Sequence, residues 1–266
     1  MVPEFDQALI ISDLHLTPAY PYTAERFIEF CKNEARQVQA LFIIGDLFEF
    51  WVGDDAHISS PFTLSIAKEI HALGASGVQV FFIAGNRDFM LGERFTALAG
   101  WRVLEDPSLV RIGSQSWLLS HGDSLCTADP AYQLFRSFTR VKLFQKIFML
   151  IPTAMRKKLG DRLRKRATIK YQMRESFDPA TASIKGNVTL EACANITKRF
   201  NCKQLIHGHT HRPGVNAESA GSHSWTRWVL SDWDLDHPEM LPRANALLIQ
   251  KQGITSVDLI AASSLR

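Results

Sequence analysis

The sequence predicts an α/β fold of four layers, ordered helix–sheet–sheet–helix, with a helical lid inserted into it. Three observations support this prediction: short apolar runs alternate with helical patterns, polar clusters follow five of the runs, and one basic stretch interrupts the alternation. Alternating strands and helices are typical of a mostly parallel sheet. The 266 residues are 46% hydrophobic and 21% charged, which excludes a disordered or disulfide-stapled chain.

The predicted strands are short runs rich in β-branched and aromatic side chains, as buried strands are. Helical patterns over 23–39 and 63–73 separate the first three of them. Later runs have no helix between them, so they suggest a second sheet packed on the first. Residues 216–224 are interpreted as a flexible loop. The runs followed by polar clusters are 8–11, 41–44, 80–84, 117–119 and 204–206, and the later runs are 228–230, 244–249 and 254–260.

A basic stretch from about 130 to 179 interrupts this alternation. Residues 133–174 hold 13 lysines and arginines against one acidic residue, Asp161, although the whole chain has a net charge of only +3. Apolar residues recur there at helical spacing until Pro152 ends the predicted helix. We therefore predict a single domain over 1–266 with a basic helical lid within it. The residues with helical spacing are Leu134, Phe138, Val141, Phe144 and Phe148.

The basic insertion has two interpretations. An amphipathic basic helix can lie on an anionic membrane surface, and its apolar face can also line a groove for acyl chains. Alternatively, the helix packs on the core and leaves a solvated basic face. No nucleic-acid partner is expected, because the sequence has neither an aromatic-rich sheet motif nor a helix-turn-helix pattern.

The remaining composition limits where the chain can act. The four cysteines form no CxxC pair, so we interpret them as small core residues in a reducing compartment. No run of about 18 apolar residues is present, and the first residues lack a basic segment. The sequence therefore predicts neither a membrane span nor a signal peptide.

The five polar clusters carry oxygen and imidazole donors. Since α/β sheets bind ligands at the carboxyl ends of their strands, we expect these side chains to converge at one sheet edge. A donor set without thiolates suits Mn²⁺, Fe²⁺, Zn²⁺ or Mg²⁺. Seven donors exceed the needs of one ion, so a shared carboxylate would hold two ions about 3.5–4 Å apart. The candidate donors are Asp13, His15, Asp46, Asn86, His121, His209 and His211.

These clusters resemble the five signatures of the calcineurin-like metallophosphoesterases and span most of the chain. The third departs from the family's Gly-Asn-His-Asp/Glu, because Arg87 replaces the histidine. Together with the segments 45–51 and 207–213, this departure is similar to the branch that hydrolyses UDP-2,3-diacylglucosamine in lipid A synthesis. The motifs read Asp13-x-His15, Gly45-Asp46, Gly85-Asn86-Arg87-Asp88, His121-Gly122-Asp123 and Gly208-His209-Thr210-His211.

The resemblance implies two Mn²⁺ ions per chain, with Asp46 shared between them. Spacing alone does not choose among the three histidines 207, 209 and 211, because all three share the same parity along an extended segment. Only the resemblance leaves His207 as a strand residue. Asp88 and Asp123 are expected to orient ligands or loops. The implied ligands are Asp13, His15, Asp46 and His211 for one ion, and Asp46, Asn86, His121 and His209 for the other.

The resemblance further implies water attack on the α-phosphate of UDP-2,3-diacylglucosamine, giving UMP and 2,3-diacylglucosamine 1-phosphate. Arg87 cannot be a general acid near neutral pH, because the pKa of a guanidinium lies above about 12. It would neutralise phosphate charge, which suits a phosphate leaving group that needs little proton help. Asp129 also matches a helix start with Pro130. The implied substrate contacts are Asn86, Arg87, Asp129 and His209.

The resemblance places the protein at the cytoplasmic face of the bacterial inner membrane, bound peripherally through its basic insertion. Two other interpretations stand beside it. One is a dinuclear metallophosphoesterase with the same metal cage but a soluble nucleotide or a phosphoprotein as substrate. The other is a peripheral membrane module without catalysis, which the seven filled donor positions argue against.

Overall fold

Two six-stranded sheets form the centre of the molecule in a computed structural model that describes residues 4–162 and 184–260. The first sheet has the strand order β12-β11-β2-β3-β4-β5, with β2 (Ala8–Ile11), β3 (Ala40–Ile44), β4 (Gln79–Ile83), β5 (Arg102–Leu104), β11 (Asn245–Gln250) and β12 (Gly253–Asp258). The second has the order β1-β6-β7-β8-β10-β9, with β1 (Glu4–Phe5), β6 (Ser108–Ile112), β7 (Gln115–Ser120), β8 (Gln204–His207), β9 (Gly214–Ala220) and β10 (His223–Val229).

Helices cover the outer faces of both sheets. Residues 153–162 are also helical, and short 3₁₀ turns lie at Glu34–Gln37 and Asp123–Leu125. The α-helices are α1 (Pro21–Lys32), α2 (Asp54–His57), α3 (Pro61–Ala75), α4 (Glu93–Ala99), α5 (Pro130–Thr139), α6 (Lys142–Met149) and α7 (Leu190–Arg199).

Alternate residues of the central strands enter different cores, because successive side chains of a strand point to opposite faces. Phe42 of β3 stacks on Phe81 of β4 at 4.9 Å between ring centroids, in the core between the sheets, where Leu119 of β7 also lies. The neighbouring Ile43 and Phe82 belong to the core beneath α1 and α3. A third core joins the second sheet to α7. The four-layer prediction is therefore confirmed.

Parallel pairing brings the predicted donor loops together, but from two sheets and not from one. Strands β2, β3 and β4 pair in parallel in the first sheet, whereas β7 and β8 pair in parallel in the second. The expectation of a single sheet edge was wrong. The run 117–119 is as apolar as the earlier ones, so its sequence does not reveal that β7 pairs with β6 and belongs to the second sheet.

The segment 216–224, predicted as a flexible loop, lies in a β-hairpin. Strands β9 and β10 pair antiparallel, and Ala220 opposes His223 across a two-residue turn. Gly221 has a φ of +63° in that turn, where glycine carries no steric cost. Strand β9 is an edge strand with alternating half-exposed residues, so it needs no apolar run of the kind that identified the buried strands.

Before Pro152, the basic insertion contains two helices, α5 and α6, where the sequence predicted one. The break falls after Arg140, since Val141 has extended backbone angles. The Arg140 guanidinium donates to the Gly85 carbonyl at 2.9 Å, which fixes the end of α5 on the core. No residue of α6 is buried. The rest of the predicted insertion, 163–179, lies outside the described residues.

The four cysteines, Cys31, Cys126, Cys193 and Cys202, are buried and unpaired, as predicted. Burial raises the pKa of the Cys126 and Cys193 thiols to about 12. Thiolates are therefore scarce at neutral pH, so these two residues act as small core side chains and not as nucleophiles.

Phe42→Ala should lower the free energy of unfolding by about 3–5 kcal/mol, because it removes a fully buried ring and leaves a cavity between the sheets. Urea denaturation followed by circular dichroism measures this. The matched control is Val103→Ala on edge strand β5, where the side chain is 54% exposed and a change within about 0.5 kcal/mol is expected. Equal losses in both variants would contradict the assignment of Phe42 to the core.

Candidate metal centre

The loops after β2, β3 and β8 hold their predicted donors in an unusual backbone conformation. Among the described residues, six that are not glycine have a positive φ, and five of these are predicted metal ligands. Such conformations cost about 1–3 kcal/mol each and persist where the surroundings fix them. The strained backbone is thus concentrated where the sequence predicted the site. The five ligands are Asp13, His15, Asp46, His209 and His211.

Asp13, His15 and His211 form a first donor group, whose ligand atoms all lie within 4.8 Å of one another. The Nε2 atoms of His15 and His211 are 3.3 Å apart, and His211 Nε2 lies 3.3 Å from Asp13 Oδ1. Asp13 Oδ1 is buried without a hydrogen bond. A divalent cation fits this arrangement, because it would satisfy that oxygen and both nitrogen lone pairs at once.

Asp13, Asp46 and His121 form a second donor group, which Asn86 extends. The His121 Nε2 atom lies 2.9 Å from Asn86 Oδ1 and 3.7 Å from Asp46 Oδ2. His121 Nδ1 lies 3.1 Å from the carbonyl of Ile44 and donates to it, so Nε2 faces the acidic groups. The two groups share Asp13 in this geometry, whereas the resemblance implies that Asp46 is shared.

Buried carboxylates crowd the site and shift each other's titration. Burial and then the neighbouring Asp46 raise the pKa of Asp88 to about 7. Burial likewise raises the pKa of Asp46, helped by Asp13. Burial opposes the charged form of His121, yet the carboxylates, led by Asp46, raise its pKa to about 9. The pocket therefore favours positive charge, which either protons or metal cations supply.

Two motif glycines allow this crowding. A Cβ atom on Gly85 would overlap the carboxylate and backbone nitrogen of Asp46, and one on Gly208 would overlap Ser12 and Asp13. Any larger residue at either position would push a predicted ligand out of place. The glycines of the third and fifth motifs are thus required by close approach of side chains to the backbone.

His209 lies beside the donor groups. Its backbone nitrogen donates to Asp13 Oδ2 at 2.8 Å, and its ring centroid lies 5.1 Å from that of His121. Burial lowers the pKa of His209 to about 3, so its imidazole is neutral at physiological pH, as a metal ligand must be. The ring also faces Tyr132 of α5 at 6.3 Å.

Arg87 lies at the opening of the site, where 32% of its side chain is exposed. Its backbone nitrogen donates to Asp46 Oδ1 at 2.9 Å, and Nε lies 3.6 Å from Asp46 Oδ2. Nη1 donates to Glu49 Oε2 at 2.5 Å. The guanidinium is therefore next to the donor groups, with a geometry that can place positive charge beside a bound phosphate.

Asp88 and Asp123 lie beneath the donor loops and tie them to neighbouring elements. Asp88 accepts from Gly85 N at 2.8 Å and from Leu47 N at 2.7 Å, which joins the loops after β3 and β4. Asp123 accepts from the Tyr132 hydroxyl and from Arg136 Nε, both at 2.8 Å. The expected orienting role agrees with these contacts.

The remaining candidates lie further from the donors. Asp129 accepts from Tyr132 N at 3.1 Å and caps the first turn of α5, as the helix-start pattern indicated. His207 is a fully buried residue of β8, whose Nδ1 donates to the Gly208 carbonyl at 2.8 Å. Burial lowers the pKa of His207 to about 4. Its contacts account for it as a strand residue that supports the motif loop.

Two carboxylates that the sequence analysis assigned no role border the site. Glu49 Oε2 lies 3.4 Å from His15 Nδ1, and Asp232 Oδ2 lies 3.4 Å from His211 Nδ1. Arg243 donates to both oxygens of Asp232, at 2.8 and 2.6 Å. Glu49 lies three residues after Asp46, so its position beside a motif could have identified it from the sequence. Asp232 lies past β10, and no local pattern pointed to it.

Comparison with known proteins gives close relatives by sequence. The chain is 41% identical over 225 residues to a UDP-2,3-diacylglucosamine hydrolase of Xanthomonas axonopodis pv. citri (strain 306), covering 85% of this chain and 90% of the relative. It is 38% identical over 254 residues to a protein of the same name from Ralstonia nicotianae, covering 95% and 92%. A Vps29 mutant from Entamoeba histolytica aligns at 15% identity and a TM-score of 0.42, covering 95% and 98% of the two chains.

A protein-family comparison covers all five motifs. The model of the calcineurin-like phosphoesterases matches residues 7–213, which runs from β2 to the end of the fifth motif. The match includes both donor groups and the strained loops that carry them. This chain belongs to the calcineurin-like phosphoesterase family.

Proposed function

We propose that this protein hydrolyses the diphosphate of UDP-2,3-diacylglucosamine to UMP and 2,3-diacylglucosamine 1-phosphate in lipid A synthesis, with two Mn²⁺ ions. The observation that carries the proposal is the pair of donor groups around Asp13, in a chain about 40% identical to proteins named UDP-2,3-diacylglucosamine hydrolase. Oxygen and imidazole donors suit Mn²⁺. Five of the seven proposed ligands form the two donor groups: Asp13 belongs to both, His15 and His211 complete the first, and Asp46 and His121 complete the second. The other two, Asn86 and His209, adjoin these groups.

When bound, two such cations polarise phosphate oxygens and lower the pKa of the attacking water. The chain's own residues then position the substrate. Arg87 lies at the opening of the donor groups and Asn86 adjoins His121 in the second group, where they would neutralise and orient the phosphate oxygens. The leaving group is a sugar phosphate, which needs little proton help. A neutral His209 and a permanently charged Arg87 agree with that, because neither donates a proton readily at neutral pH.

The basic insertion supports a lipid substrate and peripheral membrane binding. Leu143 and Ile147 on α6 are 66% and 57% exposed, and Lys142 and Lys146 lie on the same helix. An apolar, cationic surface of this kind binds anionic bilayers. Within the two described ranges, no helix combines the length and the apolar character that crossing a bilayer requires. We place the protein at the cytoplasmic face of the inner membrane on this proposal.

Detergent-dispersed UDP-2,3-diacylglucosamine should be hydrolysed to UMP by the manganese-loaded protein, with a kcat/KM at least about 100-fold above that for UDP-N-acetylglucosamine. The second compound keeps the uridine and the diphosphate but lacks the two acyl chains, so it is a matched control. Chromatographic detection of UMP measures both rates. Faster turnover of a soluble nucleotide or of a phosphopeptide would contradict the lipid substrate and favour the soluble-substrate alternative.

Asp46→Ala should abolish both manganese loading and turnover, because the side chain belongs to one tight donor group and adjoins Arg87. Metal content after gel filtration and the UMP assay measure these losses, with activity expected to fall more than about 100-fold. Asp6→Ala, an exposed residue that pairs with Lys251, is the control and should retain both. Loss of vesicle binding alone would favour a membrane module without catalysis.

Replacing both Leu143 and Ile147 with Asp should weaken binding to vesicles of phosphatidylglycerol and phosphatidylethanolamine at least about tenfold, because two exposed apolar side chains leave the bilayer contact. Co-sedimentation with the vesicles measures the change. Leu98→Asp on α4, which is also an exposed helical leucine, is the control and should bind as the unaltered protein does. Equal binding by the double variant would rule α6 out as the contact.

A further inference from the structure

The Glu49 carboxylate lies between an arginine and a predicted metal ligand. Its Oε2 accepts from Arg87 Nη1 at 2.5 Å and lies 3.4 Å from His15 Nδ1. Only 16% of the Glu49 side chain is exposed. One carboxylate oxygen thus contacts both the guanidinium at the opening and the outer nitrogen of a donor histidine.

The backbone around Glu49 is fixed from both sides. Glu49 N donates to the Leu16 carbonyl at 3.2 Å, and Leu16 N donates to the Leu47 carbonyl at 2.8 Å. The preceding Phe48 is buried and its ring packs 4.8 Å from that of Trp51. The backbone that carries the Glu49 carboxylate is therefore held in place. The carboxylate can for this reason fix the position of the longer Arg87 side chain.

Arg87 has a second carboxylate within reach. Its Nε lies 3.6 Å from Asp46 Oδ2, and Asp46 is a member of the second donor group. An arginine side chain has many rotamers, so a partner is needed to hold it in one place. Without the Glu49 charge, the guanidinium would turn to Asp46 and compete there with a metal cation.

We propose that Glu49 is a positioning residue for the phosphoesterase reaction. It holds the Arg87 guanidinium at the opening of the site, and it thereby keeps Asp46 available to the metal. This inference rests on the role given to Arg87 under the proposed function, but not on the identity of the lipid substrate. Glu49 acts through Arg87 and contacts no reacting atom.

Manganese affinity measured by isothermal titration calorimetry tests this with Glu49→Gln, Arg87→Ala and the double variant. Glu49→Gln should weaken manganese binding about tenfold, as loss of an outer contact to a metal site does. The double variant should return to within about twofold of Arg87→Ala, because the competing guanidinium is gone. Turnover of bis(p-nitrophenyl) phosphate is measured on the same variants, and Glu49→Gln should lower kcat/KM about 10–100-fold.

The rescue by Arg87→Ala separates this proposal from a purely structural role. If the double variant binds manganese as weakly as Glu49→Gln, Glu49 acts through His15 and the proposal is overturned; unchanged affinity in Glu49→Gln overturns it too. Glu34→Gln, which removes the carboxylate of an ion pair with Arg26, is the matched control and should change neither measurement. Glu49→Ala, which also removes the carboxylate, replaces Glu49→Gln in the cycle if thermal melting shows that the latter does not fold.

These readouts are independent of the lipid. If the protein fails to hydrolyse UDP-2,3-diacylglucosamine but the manganese cycle behaves as expected, the proposed substrate fails and the role of Glu49 stands. If the lipid is hydrolysed and the rescue is absent, the proposed substrate stands and the proposed role of Glu49 fails.

Discussion

Negative charge that is crowded into a buried volume is the constraint on which the rest of the structure depends. Asp13, Asp46 and Asp88 are almost completely buried within one small volume. Removing carboxylates from water is costly unless cations accompany them. The raised pKa values of Asp46 and Asp88 show that their charged forms are disfavoured in this volume. Imidazole nitrogens and the oxygen of Asn86 converge on the same space. The fold thus prepares a place for divalent cations before any cation binds.

The layered architecture makes this concentration of charge tolerable. Two stacked sheets each contribute parallel strands whose carboxyl ends meet, so five loops reach one place without any of them crossing the core. Hydrophobic packing on both faces of β3 holds the loop of Asp46 in its strained conformation. Asp88 and Asp123 then bind the loops to one another and to the basic insertion. The packing that stabilises the layers therefore also fixes the geometry of the site.

The sequence predicted what depends on local pattern and missed what depends on pairing. Apolar runs followed by Asp, Asn and His located the strands and their donors, because buried strands and metal ligands both have compositional signatures. Assignment of β7 to the second sheet depends on its pairing with β8, which is far along the chain, and β9 is an edge strand because β10 alone pairs with it among the described strands. The contact of Asp232 with His211 likewise joins residues 21 positions apart, and no periodicity encodes it. The break after Arg140 depends on a bond to Gly85, which lies 55 positions earlier in the chain.

The arginines of the insertion change how its charge acts at a distance. Arg136 and Arg140 bind Asp123, and Arg156 is buried with its guanidinium on Asp55 and the Val52 carbonyl. Their fields are largely cancelled within the protein, so ions in solution respond to them weakly. Among the described residues of this segment, these three arginines consequently contribute less to long-range attraction toward a negatively charged surface than their charge suggests, whereas Lys142 and Lys146 lie on α6, where no residue is buried.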